Sequence, residues 1–217
     1  MANTHFSGPI LFSGKGNSKG WFENLPIDRN PDYMVYMDDF TGVTLDNTND
    51  WTVVKDSGAS AAIAADVVEI FAVASGRDIW FETKITPTDA EGDAMDICIG
   101  LTVNFATNPE AMLTAADRIV FQVDDGDSNI DCITEKDGTA TTTDSGIDIA
   151  SGTAVTLGIH VKSTGSVEFF VNRAKVATHT DNIPDDENLA LGAMELSGSA
   201  TGTKSMNIDY MFAAQDR

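Results

Sequence analysis

Between Met95 and Phe105 the chain alternates without a break. Met95, Ile97, Ile99, Leu101, Val103 and Phe105 fall on one side, and Asp96, Cys98, Gly100, Thr102 and Asn104 on the other. A period of two belongs to an extended strand, whose successive side chains point to opposite faces. Wound as a helix, the same residues would scatter their apolar groups around the whole axis. The pattern recurs along the chain. Ile79, Phe81 and Ile85 alternate with Trp80, Glu82 and Lys84. Ile119, Phe121 and Val123 repeat it, as do Leu157, Ile159 and Val161, then Val167, Phe169 and Val171, then Met206, Ile208, Tyr210 and Phe212. One apolar and one mixed face per segment is how antiparallel strands read when one face lies on a core.

Turn signals separate these segments. Asp124-Asp125-Gly126-Asp127, Lys136-Asp137-Gly138 and Ser163-Thr164-Gly165 each fall between two strands. Asn172-Arg173 predicts a tight hairpin between Val167–Val171 and Lys175–Thr180. Arg suits the second turn position less well than Gly, so a longer loop is the alternative. Helix signals are thin: Asn108–Asp117 offers one or two turns, with Pro109 suited to a first helical position. Many short antiparallel strands with few helices predict an all-β sandwich or barrel. Its core is expected to contain Phe81, Ile99, Leu101, Phe121, Ile159, Phe169, Ile208 and Tyr210.

Residues 1–33 read differently. Pro9, Pro26 and Pro31, with Gly8, Gly14, Gly16 and Gly20, break any sustained periodicity. Yet Phe6, Ile10, Leu11, Phe12, Trp21, Phe22 and Leu25 are too apolar for a solvated linker. Such a segment lies on something. The expectation is an extended N-terminal arm (1–33) ahead of a sandwich domain (34–217). The arm docks either on its own domain or on a neighbouring subunit, with Phe6, Ile10, Phe12, Trp21 and Phe22 as partner-binding anchors.

Charge narrows the partners. Thirteen Lys and Arg against 34 Asp and Glu leave a net charge of −21. That is ill suited to a phosphate backbone, which is bound by cationic side chains that release counterions. An anionic lipid surface would repel it too. Neither nucleic acid nor membrane is therefore expected as a partner. The N-terminus lacks the basic region and apolar run of a signal peptide. Cys98 and Cys132 make neither a disulfide framework nor, by themselves, a zinc site, and read as small reduced core or sheet residues, with a single disulfide between them as the alternative.

Four stretches carry a resemblance: Tyr36-Met37-Asp38-Asp39-Phe40 followed by Trp51; Trp80 to Ile85; Val167 to Val176 with its Asn-containing turn; and Lys204 to Phe212. Their order resembles the concanavalin A-like lectin/glucanase jelly roll, the fold of legume lectins, laminin-G-like modules and many glucanases. The opening Ala2-Asn3-Thr4-His5-Phe6-Ser7-Gly8-Pro9 is similar to the starts of virion structural proteins of tailed bacteriophages.

The chemistry of the residues is sparse. Glucanases of this fold resemble one another in a strand reading E-x-D-x-E or E-x-D-x-x-E. Glycoside hydrolysis needs such paired carboxylates, and no segment here has that pattern. Trp80 lies opposite the Ile79/Phe81 face, alongside Glu82 and Lys84, and an aromatic among polar groups suits a sugar-stacking platform. Asp96, on another strand, is expected to share that face, so Trp80, Glu82, Lys84 and Asp96 are the candidate glycan-binding residues. The alternative is that Trp80 packs under the arm or a loop. His160 and Lys162 read as solvated. Asp125-Gly126-Asp127-Ser128-Asn129 opens like a calcium loop, which makes Asp125, Asp127, Asn129 and Asp131 weak ligand candidates. The loop pattern then fails, with Ile130 where glycine is needed and Lys136 where a bidentate Glu is needed. No cofactor, bound metal or catalysis is expected.

These readings point first to a virion structural protein. It would be a decoration protein made in the host cytoplasm and carried on the capsid surface, docked on the major capsid protein or another virion subunit, with homo-oligomers as a further option. The alternative is a lectin-like carbohydrate-binding module of a phage tail or virion, with a cell-surface glycan as partner. A glycan-active enzyme comes third.

Overall fold

The computed structural model describes residues 33–38, 51–55, 61–65, 71–89, 95–103, 109–197 and 204–216. Among them lie fourteen strands: β1 (Tyr33–Asp38), β2 (Trp51–Lys55), β3 (Ala61–Ala65), β4 (Phe71–Ala72), β5 (Ile79–Asp89), β6 (Met95–Thr102), β7 (Arg118–Val123), β8 (Asn129–Lys136), β9 (Thr139–Asp148), β10 (Val155–Lys162), β11 (Ser166–Val171), β12 (Ala174–His179), β13 (Asn188–Ser197) and β14 (Lys204–Asp216). The expected helical segment is a single 3-10 turn, Pro109–Met112.

The strands form two antiparallel sheets. A six-stranded sheet has the order β1-β14-β5-β10-β11-β12. The second, eight-stranded, runs β2-β3-β13-β6-β7-β8-β9, with β4 paired to β13. The alternating segments bury their apolar faces against one another. Phe81, Ile159 and Phe169 from the first sheet and Ile99, Leu101 and Phe121 from the second are all within 1% of full burial. Phe121 and Phe169 meet edge to face across the gap, with ring centroids 5.3 Å apart. The geometry favours contact between a ring's positive edge and its neighbour's negative face.

The closing strand departs from the expected phase. Its pairing with β5 shifts between Ile208 and Tyr210, where Asp209 forms a bulge. An extra residue on one strand flips the phase of everything after it. Met206 and Ile208 pack on the core but stay partly exposed, whereas Met211 and Ala213 are fully buried. Tyr210 and Phe212, opposite Lys84 and Glu82, point out of the sandwich. The expectation that Ile208 and Tyr210 lie buried between the sheets is thereby corrected.

The outer face of the eight-stranded sheet is covered locally. The 3-10 turn lays Met112, with Ala111 and Leu113, over Cys98, Val120, Ile133 and Met194. Arg118 holds it there: Nη1 donates to the carbonyl of Met112 at 2.9 Å, while Nε pairs with Glu135 at 2.8 Å. Both cysteines are buried free thiols, pushed up to about 12 by burial.

Candidate functional site

The outer face of the six-stranded sheet is fixed by its register. One row across the strands reads Glu168, His160, Trp80, Ala214; the next reads Phe170, Gly158, Glu82, Phe212; a third reads Thr156, Lys84, Tyr210. Cross-strand partners share a face, so these residues form one surface. Its β14 side is closed, with Ala214 0% and Phe212 2% exposed. Its β11–β12 side is open, where the Lys162 and Lys175 side chains are 44% and 51% exposed.

Trp80 is the centre of the first row. Its ring stacks on that of His160, with centroids 5.2 Å apart and planes 17° from parallel. Carboxylates flank the imidazole: Nε2 lies 2.9 Å from Asp78 Oδ2, and Nδ1 lies 3.9 Å from Glu168 Oε2. Oε1 of Glu168 takes both Lys162, at 2.9 Å, and Lys175, at 3.2 Å. Lys162, more than Lys175, holds the Glu168 carboxyl below its ordinary range. The two ammonium groups are matched by two carboxylates, Glu168 and Asp78, on either side of the imidazole.

Glu82 anchors the second row. It is 5% exposed, and Tyr210 donates a hydrogen bond to its Oε1 at 2.6 Å. Burial pushes the carboxyl up. The Tyr210 hydrogen bond and the Arg173 charge act against that shift. Burial and the neighbouring carboxylate raise the Tyr210 phenol as well. Beside Glu82, Gly158 leaves the floor of the row without a side chain. Lys84, in the third row, pairs with Asp209 of the bulge.

Trp80, Glu82 and Lys84 therefore share the expected face, but Asp96 does not. It stands on β6, on the outer side of the other sheet, where its Oδ1 accepts the Asp125 amide at 2.7 Å. Alternation gives each strand two faces but does not say which sheet a strand joins. The residues around Asp125 form a laced turn. Asp127 accepts the Asn129 amide at 3.0 Å, and Asp131 faces Asp144 across β8–β9. Burial, then Asp144, Asp124 and Asp127, push the Asp131 carboxyl up. Among the described residues no group of three or more His, Cys, Asp or Glu is arranged to hold a metal ion. The arm anchors Phe6, Ile10, Phe12, Trp21 and Phe22 lie outside the described residues.

Several members of this face were not visible as site residues in the sequence. Tyr210 reads as core until the bulge is known. Asp78 and Glu168 become relevant only through His160, which reads as solvated. Arg173 reads as a turn residue, although its positive charge at a position that favours glycine is a signal.

No protein-family model matches the chain, and a search of curated proteins finds no match either. Solved structures do match in fold. The endo-1,3-β-glucanase of Streptomyces sioyaensis superposes with a TM-score of 0.58 at 11% identity, covering 86% of this chain and 98% of that one. Bacillus licheniformis β-glucanase gives 0.53 at 12% identity, covering 84% and 95%. Peanut lectin gives 0.51 at 8% identity, covering 84% and 97%. The fold is a concanavalin A-like jelly roll.

Proposed function

We propose that this protein is a carbohydrate-binding domain whose ligand lies across the outer face of the six-stranded sheet. The observation that carries the reading is the Trp80–His160 stack, with the imidazole held by its Nε2 contact to Asp78 at 2.9 Å. A fixed aromatic face ringed by hydrogen-bonding groups suits a sugar ring, which presents C–H groups on one side and hydroxyls at its edge. Jelly rolls named as lectins and glucanases share the fold, which supports the reading from a separate direction.

Binding is favoured over cleavage by the state of the carboxylates. Glu168 is engaged by two lysines and Glu82 by Tyr210. The two stand two strands and two residues apart, about 12 Å between Cα atoms at ordinary strand spacing. The decoration-protein reading gains no support from the comparisons, and its anchors lie outside the described residues.

The test is electrophoresis through gels containing soluble polysaccharides. At least one polysaccharide should retard the protein, and Trp80→Ala should weaken that retardation tenfold or more with an unchanged melting temperature. Equal retardation of the variant, or none of the wild type, would count against this function.

A further inference from the structure

We propose that protonation of His160 tightens glycan binding: the imidazolium, held between Asp78 and Glu168, fixes Trp80 in the orientation that a sugar ring meets. This inference rests on the glycan-binding reading above and adds how that same site is regulated.

The two ring nitrogens are placed unequally. Nε2 lies 2.9 Å from Asp78 Oδ2, within hydrogen-bond reach. A carboxylate accepts there, so Nε2 carries the proton of the neutral ring and Nδ1 its lone pair. Nδ1 lies 3.9 Å from Glu168 Oε2, farther than a hydrogen bond spans. The other oxygen of Glu168 is held by Lys162 at 2.9 Å and Lys175 at 3.2 Å. A second proton makes Nδ1 a donor and the ring a cation. Glu168 Oε2 is then attracted to the ring instead of facing a lone pair, while Oε1 keeps its lysines. The imidazolium is thereby drawn to carboxylates on both sides, one entering β5 and one on β11.

Trp80 feels the change directly. Its ring centroid lies 5.2 Å from that of the imidazole, with the planes 17° from parallel. A cation within about 6 Å of an aromatic centroid is attracted to the ring face, and indole gives the strongest such contact. Protonation converts a neutral stack into a cation–π pair whose cation is itself anchored. An aromatic platform ordered before the sugar arrives spares the complex the entropy of ordering it. His160 is therefore a positioning residue that acts through Trp80.

The charged surroundings among the described residues come from every strand of this face. Asp78, whose amide donates to Oδ2 of Asp216 on β14 at 3.2 Å, flanks the ring on one side and Glu168 of β11 on the other. Lys162 of β10 and Lys175 of β12 both reach Glu168. On β5, Glu82 and Lys84 stand one and two rows away, bound to Tyr210 and Asp209, and the Arg173 charge acts on Glu82. Glu82 is the rival titrating group, because burial raises its carboxyl.

The test repeats the polysaccharide gels, a soluble β-1,3-glucan among them, at pH 8 and pH 5.5, a span that brackets histidine titration. Wild type should bind more tightly at pH 5.5, with a dissociation constant about fivefold lower. His160→Gln should differ less than twofold between the two pH values, whatever its absolute affinity. In ligand-free wild type, the Trp80 indole N–H resonance, assigned by its absence in Trp80→Phe, should shift in step with the His160 ring protons as pH falls. Wild type that binds equally at both pH values overturns the proposal and leaves the glycan-binding reading intact. So does a pH dependence that persists in His160→Gln, which assigns it to Glu82, and so does an indole resonance that ignores the His160 titration. Retention by no polysaccharide at either pH removes both.

Discussion

The hydroxyl of Tyr210 donates to Oε1 of Glu82 at 2.6 Å, one residue past the bulge that turns Tyr210 outward. Tyr210→Phe keeps the ring and removes the donor, leaving a buried carboxyl without that partner. The cost should be about 1–3 kcal/mol in urea unfolding at pH 7.

Glu82→Gln tests the same pair from the other side. Burial raises the Glu82 carboxyl above its ordinary value of 4.5. The folded state therefore binds the proton more readily than the unfolded chain. The stability this contributes is present below pH 4.5 and is lost as pH rises through the elevated folded value. Glutamine cannot ionise, so the variant should gain on wild type between pH 4 and pH 7 in parallel urea titrations. A constant difference across that range would contradict the assignment.

His179 should give the opposite slope. On β12 it reaches the other sheet: Nδ1 lies 3.0 Å from Thr134 Oγ1 and Nε2 lies 2.9 Å from Thr143 Oγ1. The Thr134 hydroxyl donates to the carbonyl of Asp181, so it accepts from Nδ1–H, and Nε2 accepts from Thr143. Burial lowers the His179 value below 6.5, and Asp181 only partly opposes it. Below pH 6.5 the unfolded chain takes the proton first, so stability falls as pH drops through 6.5 toward the depressed folded value. His179→Gln should flatten that slope in thermal melts between pH 7.5 and pH 5.

Gly100 sits in β6 between β13 and β7, with φ of 150°. A Cβ there would lie 2.4 Å from the Ile119 carbonyl oxygen and 2.9 Å from Val120 Cα, both backbone atoms of the paired strand. Gly100→Ala must push β7 aside and should cost about 3 kcal/mol. Gly138→Ala meets no neighbour within 4 Å and carries only the penalty of its positive φ, about 1 kcal/mol. Chemical denaturation of the two variants should rank them in that order.

Phe169 touches both Phe121 and His179 and is fully buried. Phe169→Ala should cost about 3–5 kcal/mol, read from the urea midpoint at unchanged slope.

The strands were legible because alternation is local: Phe81, Ile99 and Phe169 could be assigned to the core from their neighbours alone. What alternation cannot reveal is pairing between distant segments. Asp96 and Glu82 each stand on the polar side of their own strand, but the strands belong to different sheets, so the two sides face opposite ways. Tyr210 fails for a related reason. The bulge at Asp209 is defined against β5, more than a hundred residues earlier, and no local signal marks it. The turn at Asn172-Arg173 was legible in position. The structure adds that Arg adopts the glycine conformation there and is braced by β10.

β14 is last among the described strands yet lies inside its sheet, with β1 on one side and β5 on the other. Tyr33 pairs with Asp216. During synthesis β1 emerges with no partner, and β5 has one edge open until residues beyond 204 are made. Contacts so distant in sequence slow folding, and open strand edges invite pairing between chains. The six-stranded sheet that carries the candidate site therefore assembles after translation of β14. Crowded nascent chains are most exposed to mispairing along the β1 and β5 edges in the interval before it arrives.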